Sequence, residues 1–150
     1  MMKPIFEIQS DERNFSEFAR IMSNSEPWIT LKKGYEDCLK SLSGVAKSVV
    51  AIKVNDQIAG VIVIQDAGSF RGYLQSICIS AEYRGAGIGD EALHFCESHI
   101  STYSKNFFLC VSTFNSGAIK FYENHGFKIV GKLDNFVLDG FDEYLMRKTL

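Results

Sequence analysis

Two segments near the start of the chain repeat apolar residues with the period of an amphipathic helix. The first follows the capping pair Ser10-Asp11, and its apolar residues at i, i+3, i+4 and i+7 are Phe15, Phe18, Ala19 and Met22. The second begins after Thr30, and its apolar side consists of Leu31, Tyr35, Cys38, Leu39 and Leu42. The polar stretch 23–27 separates them. The pattern predicts two helices, each of which buries one face.

The pattern then changes to extended runs that are typical of strands. Residues 49–52 and 58–64 are rich in Val and Ile and are joined at Asn55-Asp56, which predicts a hairpin. Further strands are expected at 4–9, 73–80, 107–111, 127–130 and 136–146. Helices are expected after residue 87, with Leu93, Cys96 and Ile100 turned inward, and at 115–125, closed by Gly126.

This order of elements predicts an α/β (α+β) fold. The sheet is expected to be antiparallel at first and to contain one parallel crossover through the helix that follows residue 87. A chain of 150 residues with 46% hydrophobic and 13% aromatic residues is large enough for one core, so residues 1–150 are expected to form a single domain.

Charge and targeting signals narrow the classes of partner. Sixteen basic and eighteen acidic side chains give a net charge of −2, so no nucleic acid or anionic membrane is expected as a partner. The start, Met1-Met2-Lys3-Pro4, has no long apolar segment, and no apolar run approaches the ~20 residues of a membrane span. We therefore expect a soluble, cytoplasmic protein.

The cysteines and histidines do not form a metal-binding pattern. Cysteines at 38, 78, 96 and 110 are far apart and lie in apolar surroundings, as reduced core thiols do. Histidines at 94, 99 and 125 are likewise scattered. No metal site is expected.

The segment Arg84-Gly85-Ala86-Gly87-Ile88-Gly89 carries the strongest chemical signal. It lies between an apolar strand and a helix, and its glycines allow backbone N–H groups to approach an anion at the helix N-terminus. A Walker A loop would end in Gly-Lys-Ser/Thr, whereas Asp90 and Glu91 follow here, and the spacing G-x-G-x-G is not the dinucleotide fingerprint G-x-G-x-x-G. A glycine-rich turn without a ligand remains an alternative for this segment alone.

Two motifs resemble those of the GCN5-related N-acetyltransferases (GNAT). Arg84, Gly87 and Gly89 match the family's acyl-CoA loop R/Q-x-x-G-x-G/A, and residues 115–127 are similar to its segment N-x-x-A-x-x-F/L-Y-x-x-x-G-F. The resemblance covers about residues 72–131 and implies a mostly antiparallel central sheet flanked by helices, with a splayed strand pair at the acyl-CoA site. It also implies an acyltransferase that moves an acetyl group from acetyl-CoA to a primary amine of a small molecule or a peptide N-terminus.

The resemblance assigns roles to particular residues. The pyrophosphate of CoA is expected on the N–H groups of the glycine loop and the Arg84 side chain, and the pantetheine and acyl group on the strand before it. The implied cofactor-binding residues are Ile77, Cys78, Ile79, Arg84, Gly85, Ala86, Gly87, Ile88, Gly89, Asn115, Ala118 and Tyr122. The backbone N–H of Ile79 would be the oxyanion donor, and Tyr122 the general acid for the leaving thiolate.

Simpler interpretations of three of these residues stay open. Asn115 is also a good helix N-cap, and Tyr122 can be a half-buried packing aromatic. Cys78 is interpreted as a core thiol and not a nucleophile, because direct attack by the amine needs no acyl-enzyme.

The general base and the acceptor pocket are less clearly marked. Where many family members have a glutamate, this chain has Gln75 and Ser76. Glu143 and Glu26 are candidate bases, although each is also explained as a solvated loop acid. Aromatic residues that could wall an acceptor pocket, or simply pack in the core, are Trp28, Tyr35, Phe136 and Phe141.

Because no carboxylate occurs at Gln75 or Ser76, a second function remains an alternative. A catalytically weak module of the same fold that binds acyl-CoA for regulation would show the same glycine loop, whereas Tyr122 favours the enzyme. A homodimer formed through the late strands is a further possibility.

Overall fold

The computed structural model describes residues 3–150, and its centre is a seven-stranded sheet in the order β1-β2-β3-β4-β5-β7-β6. The strands are β1 Ile5–Ile8, β2 Lys47–Val54, β3 Gln57–Gln65, β4 Tyr73–Ile79, β5 Asn106–Ser112, β6 Lys128–Leu138 and β7 Phe141–Thr149. The helices are α1 Phe15–Ser23, α2 Tyr35–Ser41, α3 Ile88–Ser101 and α4 Ser116–Asn124. The expected mixed, mostly antiparallel sheet with flanking helices is confirmed.

The sheet separates two apolar clusters. On one face α1 and α2 contribute Phe18, Met22 and Cys38, which pack on Ala51 and Val61 of the central strands. On the other face α3 contributes a row of buried residues that packs with the aromatic residues of β5 and α4; this row is Leu93, Cys96 and Ile100. Because β2 and β3 are covered on both faces, their apolar runs are nearly continuous.

The β2–β3 hairpin forms where the sequence predicts it. Asn55 and Asp56 both have positive φ, at 51° and 63°, which matches a type I′ turn and the right-handed twist of the two strands. Val54 is paired with Gln57 directly across the turn.

The first two helices are shorter than predicted. Asp11 does not cap α1, because its carboxylate instead accepts a hydrogen bond from the backbone N–H of Arg13, at 3.0 Å, in a turn that precedes the helix. Residues 26–32 form successive turns, so α2 begins only at Tyr35 and not after Thr30. Leu31 is buried within these turns, whereas Tyr35 is 40% exposed and does not belong to the apolar side.

The last predicted strand, 136–146, is wrong in its bounds. A turn at Asp139-Gly140, where Gly140 has a φ of 87°, divides this stretch between β6 and β7. The pairing of the two strands is interrupted between Leu133 and Leu138, so residues 134–137 leave the ladder.

One pair of strands shapes the rest of the molecule. β4 and β5 are the parallel pair expected around α3, and they are in register only at Tyr73↔Phe108 and Leu74↔Leu109. Beyond Leu74 the two strands separate, which confirms the splayed pair and opens a gap in the middle of the sheet. No helix within residues 3–150 is both long and apolar enough to cross a membrane.

Gly72, at the point where β4 and β5 begin to pair, provides a test of this geometry. Its φ is +88°, and a Cβ there would lie 2.3 Å from the backbone oxygen of Asn106. We expect Gly72→Ala to lower the free energy of unfolding by at least about 2 kcal/mol, because backbone strain adds to a clash with backbone. The measurement is urea denaturation followed by circular dichroism.

Gly117 is the matched control, because it lies in α4 and an added Cβ meets nothing within 4 Å. Gly117→Ala should raise the free energy of unfolding by about 0.5–1 kcal/mol. Equal urea midpoints for the two variants would contradict the assigned close approach at Gly72.

Candidate active site

The gap between β4 and β5 opens into a continuous cleft. Its central cavity, about 440 Å³, is lined by β4, β5, α4 and the segment 24–29. A second cavity of about 370 Å³ shares Ile77, Ile79 and Arg84 with it and extends along the glycine loop. A third, also about 370 Å³, shares Trp28 and Glu143 with the central cavity and opens on the other side of the gap.

The glycine loop is built by backbone conformation. Gly85 and Gly87 both have a φ of 79°, a region that favours glycine, and no atom lies within 4 Å of a Cβ placed at Gly85. Gly89 is needed for packing, because its Cβ would lie 3.2 Å from Cζ of Phe121 on α4. Gly85, Gly87, Ile88 and Gly89 line the second cavity, whereas Ala86 is not among its lining residues.

The N-terminus of α3 is available to bind an anion. Gly87 is its N-cap, and no side chain satisfies the N–H groups of the first turn. Asp90 lies in this turn and lines the cavity, but its Oδ1 is 2.6 Å from Nε2 of His125. Among the residues that line this cavity, Asp90 is the acidic one, and its carboxylate is paired with His125.

The Arg84 side chain makes two hydrogen bonds to residues outside the loop. Its Nε donates to the backbone oxygen of Ile79, at 2.8 Å, and its Nη2 donates to Oγ of Ser25, at 3.0 Å. The guanidinium therefore ties the end of β4 to the segment that follows α1. Arg84 also lines the cavity beside the loop, so its contact with the pyrophosphate stays a prediction.

The backbone of β4 presents alternate residues to the gap. The N–H of Ser80 donates to Ala59 of β3, so the N–H and C=O of Ile79 point away from β3, and those of Ile77 do the same. Cys78 directs its backbone toward β3, where its oxygen would meet a Cβ at Gly60. Ile77 and Ile79 thus offer their backbone groups to the gap, while Cys78 lines the central cavity and its contact with the cofactor stays a prediction.

The Cys78 side chain is an inert thiol. It is buried, and burial raises its pKa, although the nearby polar groups of Ser25 and Arg84 act in the opposite direction. A thiol with a raised pKa is a poor nucleophile at neutral pH.

Three residues of α4 project from one face into the central cavity, as the motif predicts: Asn115, Ala118 and Tyr122. Asn115 is also the helix N-cap, since its Oδ1 accepts a hydrogen bond from the N–H of Ala118 at 3.2 Å. Its Nδ2 is the atom that remains to donate. Tyr122 is buried, and burial together with the nearby Cys96 thiol raises the pKa of its phenol, which is therefore protonated at neutral pH.

Glu143 lies at the floor of the cleft, between the central and third cavities. Its residue is only 6% exposed, and its Oε2 accepts a hydrogen bond of 2.5 Å from Oγ of Ser112. Burial raises the pKa of this carboxyl, and the bond from Ser112 partly opposes that shift. Glu26 differs, because both of its oxygens accept hydrogen bonds from Thr30, at 2.9 and 2.7 Å, in an exposed turn.

Sequence reasoning missed several polar residues of the cleft. Ser112 lies directly opposite Glu143 in the β5–β7 ladder. Tyr73 and Cys110 line the third cavity together with Glu143, and burial raises the pKa of both groups. They come from different strands and share no local motif, so only the strand order brings them together.

Two of the four aromatic residues expected around the acceptor line the third cavity, namely Trp28 and Phe136. The other two do not. Tyr35 faces outward from α2, and Phe141 packs edge-on against Phe114, with ring centroids 5.8 Å apart.

Known proteins resemble this chain in sequence and fold. The family model described as the acetyltransferase (GNAT) family matches residues 5–127. N-alpha-acetyltransferase 60 of Xenopus tropicalis is 36% identical over 101 residues, which cover 52% of this chain and 42% of that protein. The chain thus matches less than half the length of this curated relative.

Solved structures show the same fold. Naa50 of Arabidopsis thaliana, in complex with the bisubstrate analogue CoA-Ac-MVNAL, has 24% identity, a TM-score of 0.77 and coverage of 98% of this chain and 99% of its own. The aminoglycoside 6'-N-acetyltransferase of Enterococcus faecium has 18% identity, a TM-score of 0.72 and coverage of 97% and 96%.

Gly85 tests whether the loop is the CoA site. We expect Gly85→Ala to weaken binding of acetyl-CoA about tenfold, because the strained backbone turns its N–H groups out of position. Gly68→Ala is the matched control, since Gly68 also has positive φ, +91°, and open space around its Cβ but lies in the β3–β4 loop. Isothermal calorimetry with acetyl-CoA gives both values. Equal dissociation constants for the two variants would remove the loop from the binding site.

Proposed function

Because the chain belongs to the GNAT family of acetyltransferases, we propose that it transfers the acetyl group of acetyl-CoA directly to a primary amine of a small molecule or a peptide N-terminus. Family membership makes it an acyltransferase with acetyl-CoA as co-substrate. The proposed direct transfer is carried by one observation. A single cleft passes through the gap between β4 and β5 and joins the glycine loop to Tyr122 and Glu143.

The chain's own groups suit the parts of CoA. The uncapped N–H groups at the start of α3 would hold the pyrophosphate, and the small side chain of Ala118 leaves room for the pantetheine arm beside Nδ2 of Asn115. The N–H of Ile79 would donate to the acyl oxygen. One such donor is worth about 2.7–4 kcal/mol in other acyl-transfer enzymes.

Two buried groups are proposed to move the protons. Glu143 would accept a proton from the amine nitrogen as the new C–N bond forms. Tyr122 would give its phenolic proton to the sulfur as the C–S bond breaks, and solvent would then restore that proton. A phenol is a suitable donor because it remains protonated at neutral pH and a thiolate is a strong enough base to take its proton in a poorly solvated site.

The mechanism needs no covalent enzyme intermediate. Cys78 and Cys110 both line the central cavity, and burial raises the pKa of both thiols, so both are protonated at neutral pH. Direct attack by the amine is therefore favoured over a thioester on the protein.

Two of the similar structures support a primary amine as the acceptor, without distinguishing a peptide from a small molecule. The Arabidopsis relative was solved with a peptide-bearing CoA analogue, and the Enterococcus enzyme is named for an aminoglycoside. Both kinds of acceptor present an amine to the thioester carbon.

Tyr122→Phe tests the general acid. We expect kcat to fall about 10²-fold while the dissociation constant of acetyl-CoA changes less than twofold, because only the proton donor is removed. Release of free CoA thiol across a panel of amines and peptides measures kcat. Tyr35→Phe, which changes an exposed phenol on α2, should leave both quantities unchanged. If no acceptor is acetylated although acetyl-CoA binds, the regulatory module replaces this proposal.

Glu143→Gln tests the base through its pH profile. The base works when deprotonated, so wild-type kcat/KM should fall as pH drops through the pKa of Glu143, which burial places above the ordinary value of 4.5. The variant should be at least about 10²-fold slower and should lose this limb of the profile. Glu26→Gln, the other candidate, should keep the wild-type profile. A Glu143→Gln profile that retains the limb would assign the base elsewhere.

A further inference from the structure

We infer that the acceptor is an α-amine next to a bulky apolar side chain, as in an apolar amino acid or a peptide that begins with one, and that it is not a polycation. This inference rests on the proposed function, because it takes the third cavity as the acceptor side of the cleft. None of the residues 84–90 lines that cavity. It meets the central cavity at Gln75, Ser76 and Glu143, on the opposite side of the gap from the glycine loop.

Two groups of apolar side chains line this acceptor cavity beside its polar residues. Pro27, Trp28 and Leu31 form one wall, and Phe136 and Val137 form the other. Phe136 is 56% exposed and Val137 is also exposed, so an apolar substituent between the walls would remove their side chains from water.

The second wall is fixed in place by the fold. Residues 134–137 leave the β6–β7 ladder, and Asn135 adopts a φ of 51° within them. The N–H of Asn135 donates to Oδ1 of Asp142, at 3.0 Å, and its own Oδ1 accepts from the N–H of Gly140, at 2.7 Å. These bonds hold the bulge that carries Phe136 over the cavity.

The charges around the cavity oppose a polycationic acceptor. Its charged residues are Lys33, Asp37, Lys40 and Glu143, which sum to zero. Oδ2 of Asp37 accepts a bond from the N–H of Gly34, and Glu143 is bonded to Ser112. Within residues 3–150 neither lysine forms an ion pair. A polyamine or aminoglycoside needs several carboxylates for its extra ammonium groups, and here it would meet two lysines.

The acceptor preference is measured as kcat/KM for short peptides that begin with Met, Leu, Phe, Gly or Asp, for free Met and Leu, and for spermidine and kanamycin. We expect the apolar α-amines to exceed the Gly and Asp peptides at least about tenfold, with spermidine and kanamycin lowest. Comparing kcat/KM for free Leu with kcat/KM for a Leu-first peptide distinguishes a free amino acid from a peptide N-terminus as the acceptor. Equal or greater activity with spermidine or kanamycin overturns the inference and leaves the proposed acetyl transfer intact.

Phe136→Ala tests the apolar wall. It should raise KM about tenfold for the Leu-first peptide and clearly less for the Gly-first peptide, because only the first has an apolar side chain to pack on this wall. Phe70→Ala is the matched control, because Phe70 is also 56% exposed but lies in the β3–β4 loop. An equal loss with both peptides in Phe136→Ala, or the same effect in Phe70→Ala, contradicts the assigned wall.

A binding measurement separates this inference from the proposed function. Calorimetry in the presence of CoA should show the Leu-first peptide binding at least about tenfold more tightly than spermidine. If the peptide binds in this way but is not acetylated, the cavity assignment stands and the proposed transfer fails. If neither ligand binds selectively, the cavity assignment fails.

Discussion

The interruption of backbone pairing between β4 and β5 is the constraint on which the candidate site depends. Two register pairs hold the strands together, and beyond Leu74 the peptide groups of β4 that face β5 lose their strand partner. A buried N–H or C=O without a partner is costly, so such groups must be satisfied by side chains, water or a ligand. The oxygen of Ile79 is satisfied by Arg84, and its N–H remains directed into the gap. The candidate site for the polar arm of CoA thus depends on this interruption of the sheet.

A hydrogen bond between Arg84 and Ser25 connects the two sides of the cleft. Arg84 begins the glycine loop, and its guanidinium reaches Oγ of Ser25, whose own hydrogen is donated to the backbone oxygen of Ile21 at 2.8 Å. Ser25 starts the segment that continues into Pro27 and Trp28, one wall of the acceptor cavity. A charge-assisted hydrogen bond therefore ties the start of the glycine loop to the segment that carries Pro27 and Trp28. This is a structural use of an arginine that the motif alone assigns to the pyrophosphate.

Features encoded locally were predictable, and features that depend on strand order were not. The faces of α1 and α3, the turn at Asn55-Asp56 and the row on α4 all follow from spacing within one segment. The predicted start of α1 was wrong because the Asp11 carboxylate accepts a hydrogen bond from the N–H of Arg13, in a turn before the helix. The pair Ser112 and Glu143 is 31 residues apart and meets only because β7 is inserted between β5 and β6. Composition could not show that Phe141 would pack on Phe114 and leave the cavity to Phe136.

The position of Glu143 supports its proposed role as the base in place of a carboxylate on β4. Where many family members have a glutamate on β4, this chain has Gln75 and Ser76. The strand that pairs with β5 on its other side is β7, and the β7 residue opposite Ser112 is Glu143. Burial in the gap disfavours the charged carboxylate and moves its pKa toward the range where a base accepts protons near neutrality. Ser112 donates to one oxygen and so limits that shift while orienting the carboxyl group. The separation of β4 and β5 therefore supplies both the space for the acceptor amine and the desolvation that would make Glu143 an effective base.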